Sequence, residues 1–142
     1  TTMTSLTEIT NTAPTASAGP SHTPLALNTA HTHSGATASD TEGGLTSYTW
    51  SWDSTSPCQP SSCPSLTGDT GSISGGTTPV SVSGPIYTPT SAGDYVLKLI
   101  VTDNMGATNL VPATVTETVN PSIPLTPSNW WDLFRTLWKE KK

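Results

Sequence analysis

Positive charge is almost missing from the first 134 residues. Lys98 is the single basic side chain there, and the other four of the five lie beyond Phe134, in a chain whose net charge is −5. A surface that tracks nucleic-acid phosphates needs clustered Lys and Arg, so no nucleic-acid partner is expected. No apolar run approaches the roughly 18 residues needed to span a bilayer, and the first residues show no basic-then-apolar signal pattern. The start at Thr1 fits a processed protein or an excised fragment. Catalytic signatures are also missing. There is no Gly-x-Ser-x-Gly elbow and no Gly-x-x-x-x-Gly-Lys loop, and the acids are scattered rather than paired for glycoside hydrolysis, so an enzyme is not expected.

Only 11% of the 142 residues are charged and 6% are aromatic, whereas Thr and Ser make up about a third. The strong helix formers are scarce. Thr, Val, Gly and Pro favour short strands joined by turns, which points to an all-β domain. The length suits one core with short extensions and is too small for two well-cored domains.

Cys58 and Cys63 sit in a Pro-rich octapeptide, Pro57 to Pro64. A C-x₄-C pair without a second Cys/His pair downstream lacks the four ligands of structural zinc. A local disulfide fits better, with free thiols or a partial metal site as alternatives. The disulfide implies an extracellular or cell-surface location.

Four parts follow along the chain. Residues 1–10 form a polar, Thr-rich N-terminal arm whose sizeable apolar side chains are Met3, Leu6 and Ile9. Residues 11–119 form the body, 120–127 a Pro-rich linker, and 128–142 a segment of different character. Within the body, Tyr95 to Asp103 is the clearest strand. Tyr95, Leu97, Leu99 and Val101 share its core face by period two. Val96, Lys98 and Ile100 occupy the other face, which is more apolar than solvent requires; it is either covered locally or an intermolecular contact. A turn at Asp103-Asn104-Met105-Gly106 leads into a returning strand, Ala107 to Val119, with Val111, Ala113 and Val115 on one face. Leu45 to Trp52 alternates Tyr48, Trp50 and Trp52 with Thr and Ser, and at least one Trp should be core.

These residues resemble a known family. Asn11 to Gly19, Ala38-Ser39-Asp40-Thr41-Glu42-Gly43-Gly44 leading to Tyr48-Thr49-Trp50, and Tyr87 to Tyr95 leading into Val101-Thr102-Asp103-Asn104-Met105-Gly106-Ala107 are similar in order and spacing to the polycystic-kidney-disease-type (PKD) repeat. The likeness covers the body and neither extension. It implies a seven-stranded, immunoglobulin-like antiparallel β-sandwich, used in surface proteins for adhesion, spacing and assembly and in some secreted enzymes as an accessory module. It implies no catalytic activity. Asp40-Thr41-Glu42-Gly43 departs from the Asp-Pro-Asp-Gly common in the family, and the Cys58–Cys63 loop is an elaboration.

Some family members bind calcium near that acidic turn. Asp40, Glu42 and Asp103, with Asn11, would supply oxygens; the competing reading is a turn held by Asp hydrogen bonds. No other cofactor is expected. His31-Thr32-His33 puts two imidazoles on one face of a strand, a spacing metal sites use. With only His22 besides and no third ligand evident, they read as exposed positions. The Thr/Ser surplus could carry O-linked glycans, and no Asn-x-Ser/Thr sequon occurs.

The tail predicts a short C-terminal amphipathic helix. Ser128 is a suitable N-cap, and Trp130, Leu133, Phe134, Leu137 and Trp138 gather on one face, with Trp131 adjoining. Its aromatic face would dock onto its own sandwich, a neighbouring subunit or a membrane surface. The arm, the apolar outer face at Val96 and Ile100, and this tail together suggest self-association into a homopolymer. The leading expectation is a structural subunit of an extracellular filament or surface appendage, assembled by strand and helix exchange. The alternative is an adhesive or carbohydrate-binding accessory module of a larger surface protein.

Overall fold

A computed structural model describes residues 7–56, 58, 63–121, 135 and 138. All its named elements are strands: β1 (Thr15–Ser17), β2 (His31–Thr32), β3 (Ala36–Ser39), β4 (Leu45–Trp52), β5 (Thr70–Ser72), β6 (Val80–Val82), β7 (Ile86–Tyr87), β8 (Gly93–Asp103) and β9 (Ala113–Val119). They form three antiparallel sheets, ordered β1-β3-β6, β5-β4-β8-β9 and the short pair β2-β7. The expected helix over 128–142 lies outside the described residues except for Arg135 and Trp138, both exposed. Met3 and Leu6 of the arm also lie outside them.

Strand β8 organises the fold. Tyr95, Leu97, Leu99 and Val101 are each 0% exposed, while the alternate residues Val96, Lys98 and Ile100 are half-buried between β4 and β9. The core of the other large sheet is built from small residues. Ala36 and Ala38 of β3 and Val82 of β6 join Tyr48, Trp50, Leu97 and Leu99 in one apolar cluster. Trp50 ties the sheets together directly, its indole N–H donating to the Ser83 carbonyl at 2.9 Å. A bulge between Leu45 and Ser47 brings Leu45 into the core alongside Tyr48 and Trp50. Tyr95, expected on the core face of its strand, packs inward and anchors its hydroxyl on the Ser91 carbonyl at 2.9 Å.

The returning strand differs from expectation. It begins at Ala113 rather than Ala107, and Val111 is 78% exposed. The cause is Asn109, which is buried and lends its side chain to the ladder. Its Oδ1 accepts the Val101 N–H at 2.9 Å, and its Nδ2 donates to the Leu99 and Val111 carbonyls. An amide side chain therefore stands in for partner backbone, and Pro112 has no N–H to resume pairing. Regular pairing restarts one residue later.

The outer edge of β9 is occupied by the connection between β1 and β2. Leu25 bridges to Val119 in parallel, donating to the Thr118 carbonyl at 2.9 Å and accepting from the Asn120 N–H at 3.3 Å. Further back, the Ser21 hydroxyl donates to the Thr116 carbonyl. Such cover removes a free edge that would invite pairing with another chain.

Truncating Leu99 to Ala should cost about 2–5 kcal/mol in urea unfolding, the range for a fully buried Leu. Val111→Ser should change stability by less than about 0.5 kcal/mol, since its side chain lies outside the core. A large loss from Val111→Ser would contradict the corrected strand boundary.

Candidate functional site

Period two places Val115, Glu117 and Val119 on the buried face of β9, with Glu117 0% exposed. A carboxylate in that position is costly unless partners satisfy it. Here the β1–β2 connection and the residue that follows β2 supply them. His33 Nδ1 lies 2.8 Å from Glu117 Oε1, and His22 Nδ1 lies 3.1 Å from the same oxygen. The His22 backbone N–H donates to Glu117 Oε2 at 2.6 Å.

Local chain geometry delivers the histidines. His31 is paired across β2–β7 with Tyr87, and the two rings meet edge to face at 5.5 Å. Two residues on, the His33 N–H donates to the Pro85 carbonyl at 3.0 Å. Gly84 lies so close to the His33 backbone that any Cβ there would collide with it. His33 is thereby driven inward, 1% exposed, against the edge of Trp50. The expectation that His31 and His33 are exposed strand positions is therefore corrected: β2 ends at Thr32, and His33 belongs to the core. His22 folds over both, its ring centroid 5.2 Å from that of His31 and 5.0 Å from that of His33.

The result is four convergent donors. The ligand atoms of His22, His31, His33 and Glu117 all lie within 4.8 Å of one another, the one such group of His, Cys, Asp or Glu among the described residues. Burial alone would push the Glu117 carboxyl up, but hydrogen bonds from His33 and from the backbone and ring of His22 outweigh it, holding it below its ordinary value. Burial pushes the His31 imidazole down, reinforced by His22 and His33 and opposed by Glu117. Burial also raises the Tyr87 phenol. The His31 Nε2 and the Tyr87 hydroxyl are buried without a hydrogen-bond partner.

The acidic turn is built differently. Asp40 Oδ1 accepts the Glu42 N–H at 2.8 Å, and Glu42 Oε1 accepts the Thr12 hydroxyl at 2.8 Å. Asp103 Oδ1 accepts the Met105 and Ala107 N–H groups, and its Oδ2 accepts the Asn11 amide at 2.8 Å. Asp40, Glu42 and Asp103 are not gathered into one cluster of converging donors; each oxygen named here serves its own turn or a neighbouring loop. Asp40 Oδ2 remains buried without a partner.

Of the residues expected at an assembly interface, Ile9 is 77% and Trp138 67% exposed. Val96 and Ile100 are half-buried. Around Val96 the backbone is taken up by the loop after β4. The Asp53 N–H and the Ser56 hydroxyl donate to its carbonyl, and its own N–H lies 2.9 Å from the Ser56 hydroxyl oxygen. Trp130, Trp131, Leu133, Phe134 and Leu137 lie outside the described residues. Cys58 and Cys63 are joined in a disulfide.

Sequence reasoning missed Glu117 altogether. The signal was a single acid between Val115 and Val119 on an otherwise apolar face, and it could have been read. The pairing of that acid with His22 and His33, 95 and 84 residues away, had no such signal.

No family model matches the sequence, and no curated protein is similar to it. Among solved structures, the chain is similar to the PKD domain from KIAA 1837 protein, with 19% identity over 81% of this chain and 98% of that one and a TM-score of 0.45. It is also similar to the PKD1 domain of Vibrio anguillarum Epp, with 23% identity over 78% of this chain and 100% of that one and a TM-score of 0.37. Both neighbours are PKD domains, the repeat that residues 11–119 resemble.

The hydrogen bond from Asn11, then those from the backbone at Ala107 and Met105, hold the Asp103 carboxyl below its ordinary value of 3.8. A depressed folded-state pKa contributes stability above the unfolded pKa and loses it as the pH falls through the folded one. Asn11→Ala should therefore unfold at lower urea than the parent at pH 7, with the gap narrowing as the pH drops below about 4. A gap constant from pH 7 to pH 2 would contradict this coupling.

Proposed function

We propose that this chain is a non-catalytic β-sandwich module of the extracellular space, serving as a structural subunit of a filament or surface appendage. The observation that carries the reading is an apolar groove beside an open sheet edge. Among the described residues, strand β1 has β3 as its one neighbour within its sheet. Next to it, Ala13, Pro14 and Ala16 face Leu110 and Val111 across a groove of about 280 Å³. Leu110 is 89% exposed and Val111 78%, an unusual cost for a surface with nothing to cover it.

An extended segment from another copy laid along β1 would complete the ladder and place alternate side chains in this groove. The arm, residues 1–10, supplies such a segment, polar and carrying Met3, Leu6 and Ile9. The partly covered edge of β9 favours β1 as the acceptor. An arm donated head to tail gives an open polymer unless the rotation closes. The disulfide supports an oxidising compartment. Docking of the aromatic tail on a neighbour or a membrane, calcium at the acidic turn and O-linked glycans on the Thr/Ser surface belong to the same proposal, as additions the filament does not require.

Electron microscopy should show fibres whose axial repeat matches one sandwich. Deleting residues 1–10, or replacing Val111 with Lys, should abolish them while far-UV circular dichroism and the unfolding midpoint stay within a few degrees of the parent. Dispersed monomers from the full chain would overturn the filament reading. In that case, retention of a polysaccharide or a surface protein on a column would support the adhesive accessory module instead.

A further inference from the structure

The groove and the sheet edge leave one feature without a role: three histidines gathered on a buried glutamate. We infer that His22, His31, His33 and Glu117 form a binding site for a divalent transition-metal ion, with zinc the best match. The ligands are His22 Nδ1, His31 Nε2, His33 Nδ1 and Glu117 Oε1.

Hydrogen-bond chemistry distinguishes this from an ordinary buried polar cluster. His33 Nε2 abuts the Ala18 carbonyl. A carbonyl can only accept, so Nε2 carries a hydrogen, and the 2.8 Å contact of Nδ1 with Glu117 Oε1 is then made either by a second ring proton or, when the ring is neutral, by a cation held between the two lone pairs. Two acceptors at that separation repel unless a cation or a proton lies between them. His22 Nδ1 lies 3.1 Å from the same oxygen. The carboxylate oxygen thus meets two ring nitrogens at once, while His31 Nε2 is buried beside them without a hydrogen-bond partner. A single dication satisfies all four atoms at once.

The surrounding contacts are those a metal site requires. Ligating histidines direct their remaining ring N–H to a carbonyl, carboxylate or hydroxyl, which fixes the tautomer. His33 does so to Ala18, and His22 Nε2 lies 3.2 Å from the Ser34 hydroxyl. The second oxygen of Glu117 is held by the His22 backbone N–H. In a tetrahedral zinc site with bonds near 2.1 Å, neighbouring ligand atoms are about 3.4 Å apart. The two edges of 2.8 and 3.1 Å need only slight opening, and with one ligand atom taken from each residue all four lie within 4.8 Å of one another. Three imidazoles with one carboxylate suit zinc, copper or nickel rather than calcium or magnesium, which take oxygen donors.

The ligands come from the β1–β2 connection, β2, the residue following it and β9. A bound ion would therefore clasp the connection onto the edge strand that it already covers at Leu25. Because the donors converge only in the folded chain, binding stabilises the fold by mass action.

The test uses the full chain, stripped with a chelator, confirmed folded by circular dichroism and titrated with Zn²⁺ by calorimetry at neutral pH. One equivalent per chain should bind, and the thermal midpoint should rise on loading. Co²⁺ in place of Zn²⁺ should give the visible absorption of a four-coordinate ion. His31→Ala removes the ligand that has no hydrogen-bond partner, so its metal-free midpoint should stay within a few degrees of the parent while affinity falls at least tenfold. His22→Ala should weaken binding by at least as much. Glu117→Gln with His33→Gln serves as a second variant, and should abolish binding if it folds. The inference is overturned if the stripped, folded parent shows no saturable binding. It is equally overturned if the folded His31→Ala and His22→Ala variants both bind within threefold of it.

Discussion

The packing of β8 is the constraint from which the rest of this structure follows. Four consecutive inward side chains, Tyr95, Leu97, Leu99 and Val101, are wholly removed from water. Each side chain of this size contributes about 1.5–3 kcal/mol on burial. No other strand has so long an uninterrupted inward row. Both long edges of β8 are paired, by β4 on one side and β9 on the other, so the registers of those neighbours are set by how they close over this row. A slip of one residue in β9 would turn Val115 and Val119 out to water.

That same register forces Glu117 inward. The strand cannot bury Val115 and Val119 without burying the residue between them on the same face, and a carboxylate there needs compensation. The β1–β2 connection, folding back along the edge of β9, provides His22, whose ring meets one carboxylate oxygen and whose backbone N–H meets the other, and the residue after β2 brings His33 to the first. Edge cover and charge compensation are thus one arrangement. Breaking a buried pair of this kind by removing one partner is far more disruptive than the net value of the pair would indicate. The polar cluster accordingly ties β9 to the β1–β2 connection and to β2 and the residue after it.

The two ends of the chain's body serve different purposes. At the β9 edge the protein satisfies its own backbone, which leaves little for another copy to pair with. At the β1 edge no strand among the described residues completes the ladder, and Leu110 and Val111 lie beside it, because Asn109 has lifted that stretch out of the β8 pairing. One buried amide therefore determines both where β9 begins and which apolar side chains are presented outward.

Local pattern was enough for much of this. The Thr/Ser-rich, helix-poor composition determined the all-β class, the period-two rows at 45–52 and 95–101 determined the two central strands and their core faces, and the short Pro-rich spacing of Cys58 and Cys63 pointed to their disulfide. These features depend on neighbours within a few residues, so they survive in a one-dimensional reading. Tertiary structure alone decided where Asn109 spends its amide, and hence the exposure of Val111. It alone brought His22 and His33 to Glu117. A strand's alternation shows which face a residue shares, but not what the chain lays against that face some 90 positions away; that is decided by which edge the connecting loop must cover and which buried charge it must satisfy.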